Sequence, residues 1–138
     1  MNNFNLNQPI FTKVLDQAAK YSLAFLWIFT GLTSVFFSPE IGYEILANAN
    51  ITGAIADVSI YAGGFLDIIL GLWLITSVQS KLCCIVQVCV IAIYTLLLTF
   101  IDPSFWLHPF GPIVKNIPIV VLIGYVYANN INIGSTKI

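Results

Sequence analysis

The stretch Val58–Val78 holds twenty-one residues and a single charged side chain, Asp67. Crossing the ~30 Å hydrocarbon core of a bilayer takes roughly 20 helical residues, so this stretch has the length and polarity of a membrane span. At a rise of 1.5 Å per residue Asp67 lies ~14 Å into it, close to the midplane. A carboxylate there costs on the order of 2.5–3.5 kcal/mol on insertion scales, so it has to face protein or water. The rest of the chain must supply that surrounding. Gly63, Asp67 and Gly71 are spaced four apart and stack on one helix face, with Gly64 beside them. Glycines on such a face let a second helix backbone come close.

The other segments read the same way. Hydrophobic residues make up 59% of the chain and charged residues 8%, with a mean hydropathy of +0.93. A soluble domain carries about 25% charged residues, so the composition is that of an integral membrane protein. The expected fold is all-α, an integral membrane four-helix bundle in one domain over 1–138, with spans at approximately 21–37, 58–78, 82–101 and 110–128. Tyr21–Phe37 has no small-x-small exit and meets Pro39 where a signal peptide would be cut, so it reads as a retained span. Thr30, Gly31 and Ser34 give it a small-residue side for packing. Ahead of it, Phe11, Val14, Leu15 and Ala18 recur at helical spacing opposite Lys13, Asp16, Gln17 and Lys20, the pattern of a short interfacial helix running into the first span.

Ser38-Pro39-Glu40 reads as an N-cap, a first-turn proline and a dipole-favoured acid, opening a short surface helix with Ile41, Ile45 and Leu46 turned inward. The tight connection Gln79-Ser80-Lys81 makes the second and third spans antiparallel neighbours. Lys13, Lys20, Lys81 and Lys137 fall on one side of this arrangement, and Lys115 is the exception. The positive-inside rule then places both termini in the cytoplasm. The chain has no arginine and its lysines are isolated, which excludes a nucleic-acid surface.

The fourth segment is the irregular one. Pro109-Phe110-Gly111-Pro112 and Pro118 leave uninterrupted apolar helix only from about Ile117 to Ala128, near 18 Å against a ~30 Å core. A broken fourth helix is therefore expected, with Pro109–Pro118 lining protein or a wet cavity.

Candidate chemistry is sparse. Cys83, Cys84 and Cys89 lie in one apolar run without a C-x-x-C spacing and read as small buried side chains, a redox pair at Cys83 and Cys84 being the alternative. His108 is the only histidine, which rules out a two-histidine haem site and offers no zinc set. With no phosphate loop or serine elbow, no self-contained catalytic activity and no metal site are expected. The polar candidates are Asp67, Lys115, Asn116 and Glu40, with Gly31, Gly63, Gly64 and Gly71 for helix packing. Asp67 has two readings: a helix-pairing acid, or a group that binds a ligand or handles protons. Lys115 also has two: it snorkels to the surface, or it turns inward to Asp67, Asp57 or Glu40.

Trp27 through Gly31-Leu32, Pro39-Glu40, Gly64-x-x-Asp67-x-x-x-Gly71, and Asp102-Pro103 through Pro109-Phe110-Gly111-Pro112-x-x-Lys115-Asn116 resemble the DoxX-like family of small bacterial membrane proteins. Similar domains usually carry glutamate where this chain has Asp67. The resemblance implies a four-helix, multi-pass protein of the bacterial inner membrane and an accessory part in a redox process. That part would be binding quinone or docking a soluble oxidoreductase or other membrane subunits. The alternatives are a non-catalytic scaffold or assembly factor, and a small proton-coupled transporter subunit.

Overall fold

The structure, a computed structural model, describes residues 8–109 and 111–134. Five α-helices account for most of them: α1 (Gln8–Leu32), α2 (Pro39–Asn48), α3 (Ala54–Thr76), α4 (Ser80–Ile101) and α5 (Pro112–Gly134). Four helical stretches are long and apolar enough to cross a membrane: Ile10–Phe37, Ala54–Thr76, Ser80–Ile101 and Pro112–Asn129. The amphipathic stretch before Tyr21 runs into the first span as its spacing predicts, the two forming one continuous helix, α1.

The four long helices form a ring. α1 packs on α3 and α5, and α4 packs on the same two. Among the described residues α3 and α5 do not approach each other closely, so they occupy one diagonal and α1 and α4 the other. Short connections between consecutive spans favour this up-and-down order. α3 and α4 do neighbour each other, yet the tighter seam runs between α1 and α3. The core is built from Leu23, Ala24, Trp27, Leu70, Leu74, Cys83, Cys84 and Ile123, all at most 5% exposed. Large apolar side chains such as Phe25, Ile69, Ile93 and Val121 cover the outside, as a lipid-facing surface requires.

The two ends of the bundle differ in charge. Lys20 donates to Ser77 at the α3–α4 turn, so Lys20 and Lys81 share one end. At that end Asp16 of α1 accepts from Tyr125 of α5 at 2.8 Å and from Asn129. The opposite end carries α2 and the α4–α5 connection, with Glu40, Glu44, Asp102 and Lys115. Lys137 lies outside the described residues.

The irregular backbone sits in a different helix from the one expected. α5 starts at Pro112 and runs through Pro118 without a break. Proline at the first helical position gives up a donor that is unpaired there in any helix, and Pro118 removes only the bond to the Val114 carbonyl. The irregular stretch is confined to the connection before α5. Asp102 accepts from Ser104 N–H at 2.9 Å and opens the 3-10 turn Pro103–Trp106. The Ser104 side-chain hydrogen bond, and after it the one from the Ser104 N–H, hold the Asp102 carboxyl below the usual carboxylate range. Gly111 N–H then closes on His108 O at 2.7 Å, and a Cβ on Gly111 would strike the carbonyls of Phe105 and His108. Phe110 lies outside the described residues. It is the end of the first span, directly after α1, that departs from α-geometry, in a π-helical turn over Thr33–Phe37. Ser38 N–H reaches five residues back to Thr33 O at 2.8 Å. Ser38 thus precedes α2 and Pro39 as the spacing predicts, but its side chain makes no cap hydrogen bond, and its N–H serves the π turn.

Candidate functional site

The α1–α3 seam depends on three glycines. A Cβ on Gly31 would stand 2.5 Å from the Gly64 carbonyl oxygen, and one on Gly64 would run into the Val35 side chain. One on Gly71 would lie 2.6 Å from Ile28 Cγ1 and 2.8 Å from the Ala24 carbonyl oxygen. All three positions are buried. Gly63 belongs to a different face: a Cβ there would meet only the Tyr94 hydroxyl, at 3.1 Å. The expectation that Gly63 packs one backbone on another therefore gives way. Its missing side chain leaves room beside α4, because the 100° step between neighbours turns Gly63 and Gly64 toward different helices.

That room is part of a cavity of about 570 Å³ at the α2 end. Its walls are the π turn (Thr33, Ser34), α2 (Ile41, Ile45, Leu46), α3 (Ser59, Gly63, Asp67) and the last half of α4 (Tyr94, Leu97, Leu98). Asp67 lines it at 8% exposure, and its Oδ1 has no hydrogen-bond partner among the described residues. The Tyr94 hydroxyl is the polar group that engages this carboxyl. A carboxylate at membrane depth is costly unless a polar group partners it, and an unpartnered buried oxygen adds to that cost. The chain tolerates it beside a cavity, where a bound molecule can change the balance.

The other polar candidates do not gather at Asp67. Lys115 is exposed on α5, diagonal to α3, so the inward pairing with Asp67 does not form. Asn116 Nδ2 donates to Thr95 Oγ1 at 2.9 Å and ties α5 to α4. Glu40 is exposed in the first turn of α2 and does not line the cavity. On the same helix Tyr43 donates to Asp57 Oδ1 at 2.6 Å, which pushes the tyrosine up to about 12.

A second polar feature crosses the bundle centre. Trp27 Nε1 of α1 donates to Gln87 Oε1 of α4 at 2.9 Å, both residues buried. Gln87 Nε2 stands 3.2 Å from Cys83 Sγ, which is 3.8 Å from the Leu70 carbonyl. Cys83 and Cys84 are buried free thiols within this core, and Cys89 is exposed on the outer face.

The profile of the DoxX-like family matches residues 24–124, well over half of the chain. This chain belongs to the DoxX-like family. No curated protein and no solved structure matches it. The DoxX-like segment contains the whole cavity wall, the glycine seam and the Trp27–Gln87 bond. The Asp16–Tyr125–Asn129 contact lies across its limits, with all three residues beyond them.

Tyr94 is the site residue that the sequence reading passed over. Its signal was present: Tyr94 is seven residues, two helical turns, beyond Gln87, so both face the bundle interior. Aromatic residues in a span otherwise read as packing or as interfacial anchors, which masks a hydroxyl placed at depth.

Proposed function

We propose that this DoxX-like membrane protein is an accessory subunit of a membrane redox process, and that its cavity receives the head group of a quinone-class molecule. The observation that carries this reading is Asp67, buried on the wall of a 570 Å³ apolar cavity with one carboxyl oxygen unpartnered. Cavities of ~300–1,000 Å³ with apolar walls and a few converging polar groups suit small ligands. The Tyr94 hydroxyl and the Asp67 carboxyl would hold the head, and Leu46, Leu97, Leu98 and Ile45 would hold the start of the tail. Docking of a soluble oxidoreductase is the partner side of the same proposal.

The test is the lipid extract of the purified protein. Quinone should be enriched over bulk phospholipid in the wild type and reduced at least fivefold in Gly63→Leu, whose side chain would fill the space beside Tyr94. A quinone-to-phospholipid ratio equal to that of the surrounding membrane would sink the reading. The glycine seam favours a second reading, a non-catalytic scaffold in which Asp67 serves helix pairing. On that reading Asp67→Asn would alter stability and leave the extract unchanged.

A further inference from the structure

The cavity has a mouth, and its position says what kind of molecule can use it. Two apolar lining residues are more than half exposed: Ile41 of α2 at 56% and Leu97 of α4 at 53%. Asp67 and Gly64, on the α3 wall, are buried. The exposed rim joins Ile41 and Leu97, on two helices that barely approach each other, to the exposed Ser34 and Ser59.

α2 is the most superficial of the five α-helices. None of its residues is buried. Non-helical backbone flanks it on both sides: Ser38 at φ −143° and ψ 53°, then Asn50 at φ 58° and Gly53 at φ 68°. The Tyr43–Asp57 hydrogen bond of 2.6 Å fastens it to the first turn of α3. A short helix between two such joints can swing with little loss of packing.

The lining hydroxyls narrow the ligand chemistry. Thr33 Oγ1 already bonds Phe29 O at 2.9 Å, and Ser59 Oγ bonds Ile55 O at 2.7 Å, each within its own helix. The polar groups left for a ligand are Asp67 and Tyr94, together with the Ser34 and Ser38 hydroxyls on the wall. Exposed Glu40 and Glu44 on α2 disfavour an anion arriving from water.

We infer that the cavity is loaded sideways from the lipid, through a portal between α2 and the last half of α4. Its cargo is a membrane-dissolved molecule with one small polar head on an apolar body, and α2 is the portal's moving leaf, restrained by Tyr43 and Asp57. This inference rests on the cavity being a ligand site, though not on the ligand being a quinone.

The test uses the full chain in phosphatidylcholine vesicles and a long-chain alkylphenol bearing a diazirine. The probe is added, the sample is flashed after increasing delays, and labelled residues are mapped by mass spectrometry. In the wild type the label should collect on α2 and α4 around Ile45 and Leu98. Tyr43→Phe and Asp57→Asn should each shorten the loading time severalfold. Ile41→Trp, at the rim on α2, should lengthen it severalfold, with the final labelling of all three variants within twofold of wild type. Normal final labelling with unchanged loading times in the latch and rim variants would overturn the portal and leave the ligand site standing. Absence of label from the cavity wall in the wild type would overturn both.

Discussion

Two faces of one helix make opposite use of glycine. On the face of α3 toward α1, Gly64 and Gly71 bring backbones together so closely that any added carbon would collide. On the face toward α4, Gly63 leaves a void beside Tyr94. Lipid tails are as apolar as leucine, so helices in a membrane associate through close packing and polar contacts rather than through exclusion of water. The seam that achieves close packing holds the bundle together. The seam that forgoes it, between α3 and α4, is where a ligand can be held, and Asp67 lies buried on that cavity wall between Gly64 and Gly71 in sequence.

The contrast is broken most sharply by adding one methyl group at a time. Gly31→Ala drives a carbon into the Gly64 carbonyl, a backbone atom that cannot step aside, and should cost about 3 kcal/mol, the upper part of the overpacking range. Gly63→Ala should cost under ~1 kcal/mol, because its single close neighbour is a hydroxyl at the edge of the void. Gly124→Ala meets nothing within 4 Å and should be neutral or slightly stabilising. Thermal unfolding in detergent ranks the three, and equal losses at Gly31 and Gly63 would erase the distinction between the faces.

The next largest effect concerns the bond across the centre. Trp27→Phe leaves Gln87 with an unpaired buried oxygen, at a cost of about 1–3 kcal/mol. Replacing both, Trp27→Phe with Gln87→Leu, should recover part of that loss. A double variant no more stable than the worse single one would show that the bond contributes through packing alone.

Asp67 supplies the third comparison. With Tyr94→Phe, Asp67→Asn should be non-additive by about 0.5–3 kcal/mol, the range for residues in one hydrogen-bond network. With Lys115→Met the losses should add within ~0.5 kcal/mol, because the two residues sit on diagonal helices. Coupling to Lys115 instead of Tyr94 would require a different helix order.

The smallest effect is at the α2 latch. The Tyr43 hydroxyl is raised from about 10 to about 12 by its hydrogen bond to Asp57. Folded-state elevation of an acid means that its stabilising contribution is complete below the unfolded value near 10 and is lost as pH rises through about 12. The tyrosinate absorbance of wild type minus Tyr43→Phe should therefore titrate near 12, and near 10 once Asp57 is replaced by Asn.

Several features were legible before any coordinates. Hydropathy and length locate four spans, and the residues from Trp27 to Asn116 carry the family resemblance that the profile match over 24–124 bears out. Pro39 and Glu40 mark the start of α2 as expected from helix-terminus chemistry. Local preference is enough for these, because each depends on residues adjacent in the chain or one turn apart. Which helix lies opposite which is a different matter. In a soluble helix the apolar stripe points to the core, but α3 and α4 are apolar all round, so periodicity names no partner. Shape decided it: the glycines of α3 fit the backbone of α1, α5 was left to the far diagonal, and Lys115 went with it. The acid midway along α3 was therefore set beside Tyr94, and the cavity opened where Gly63 left space.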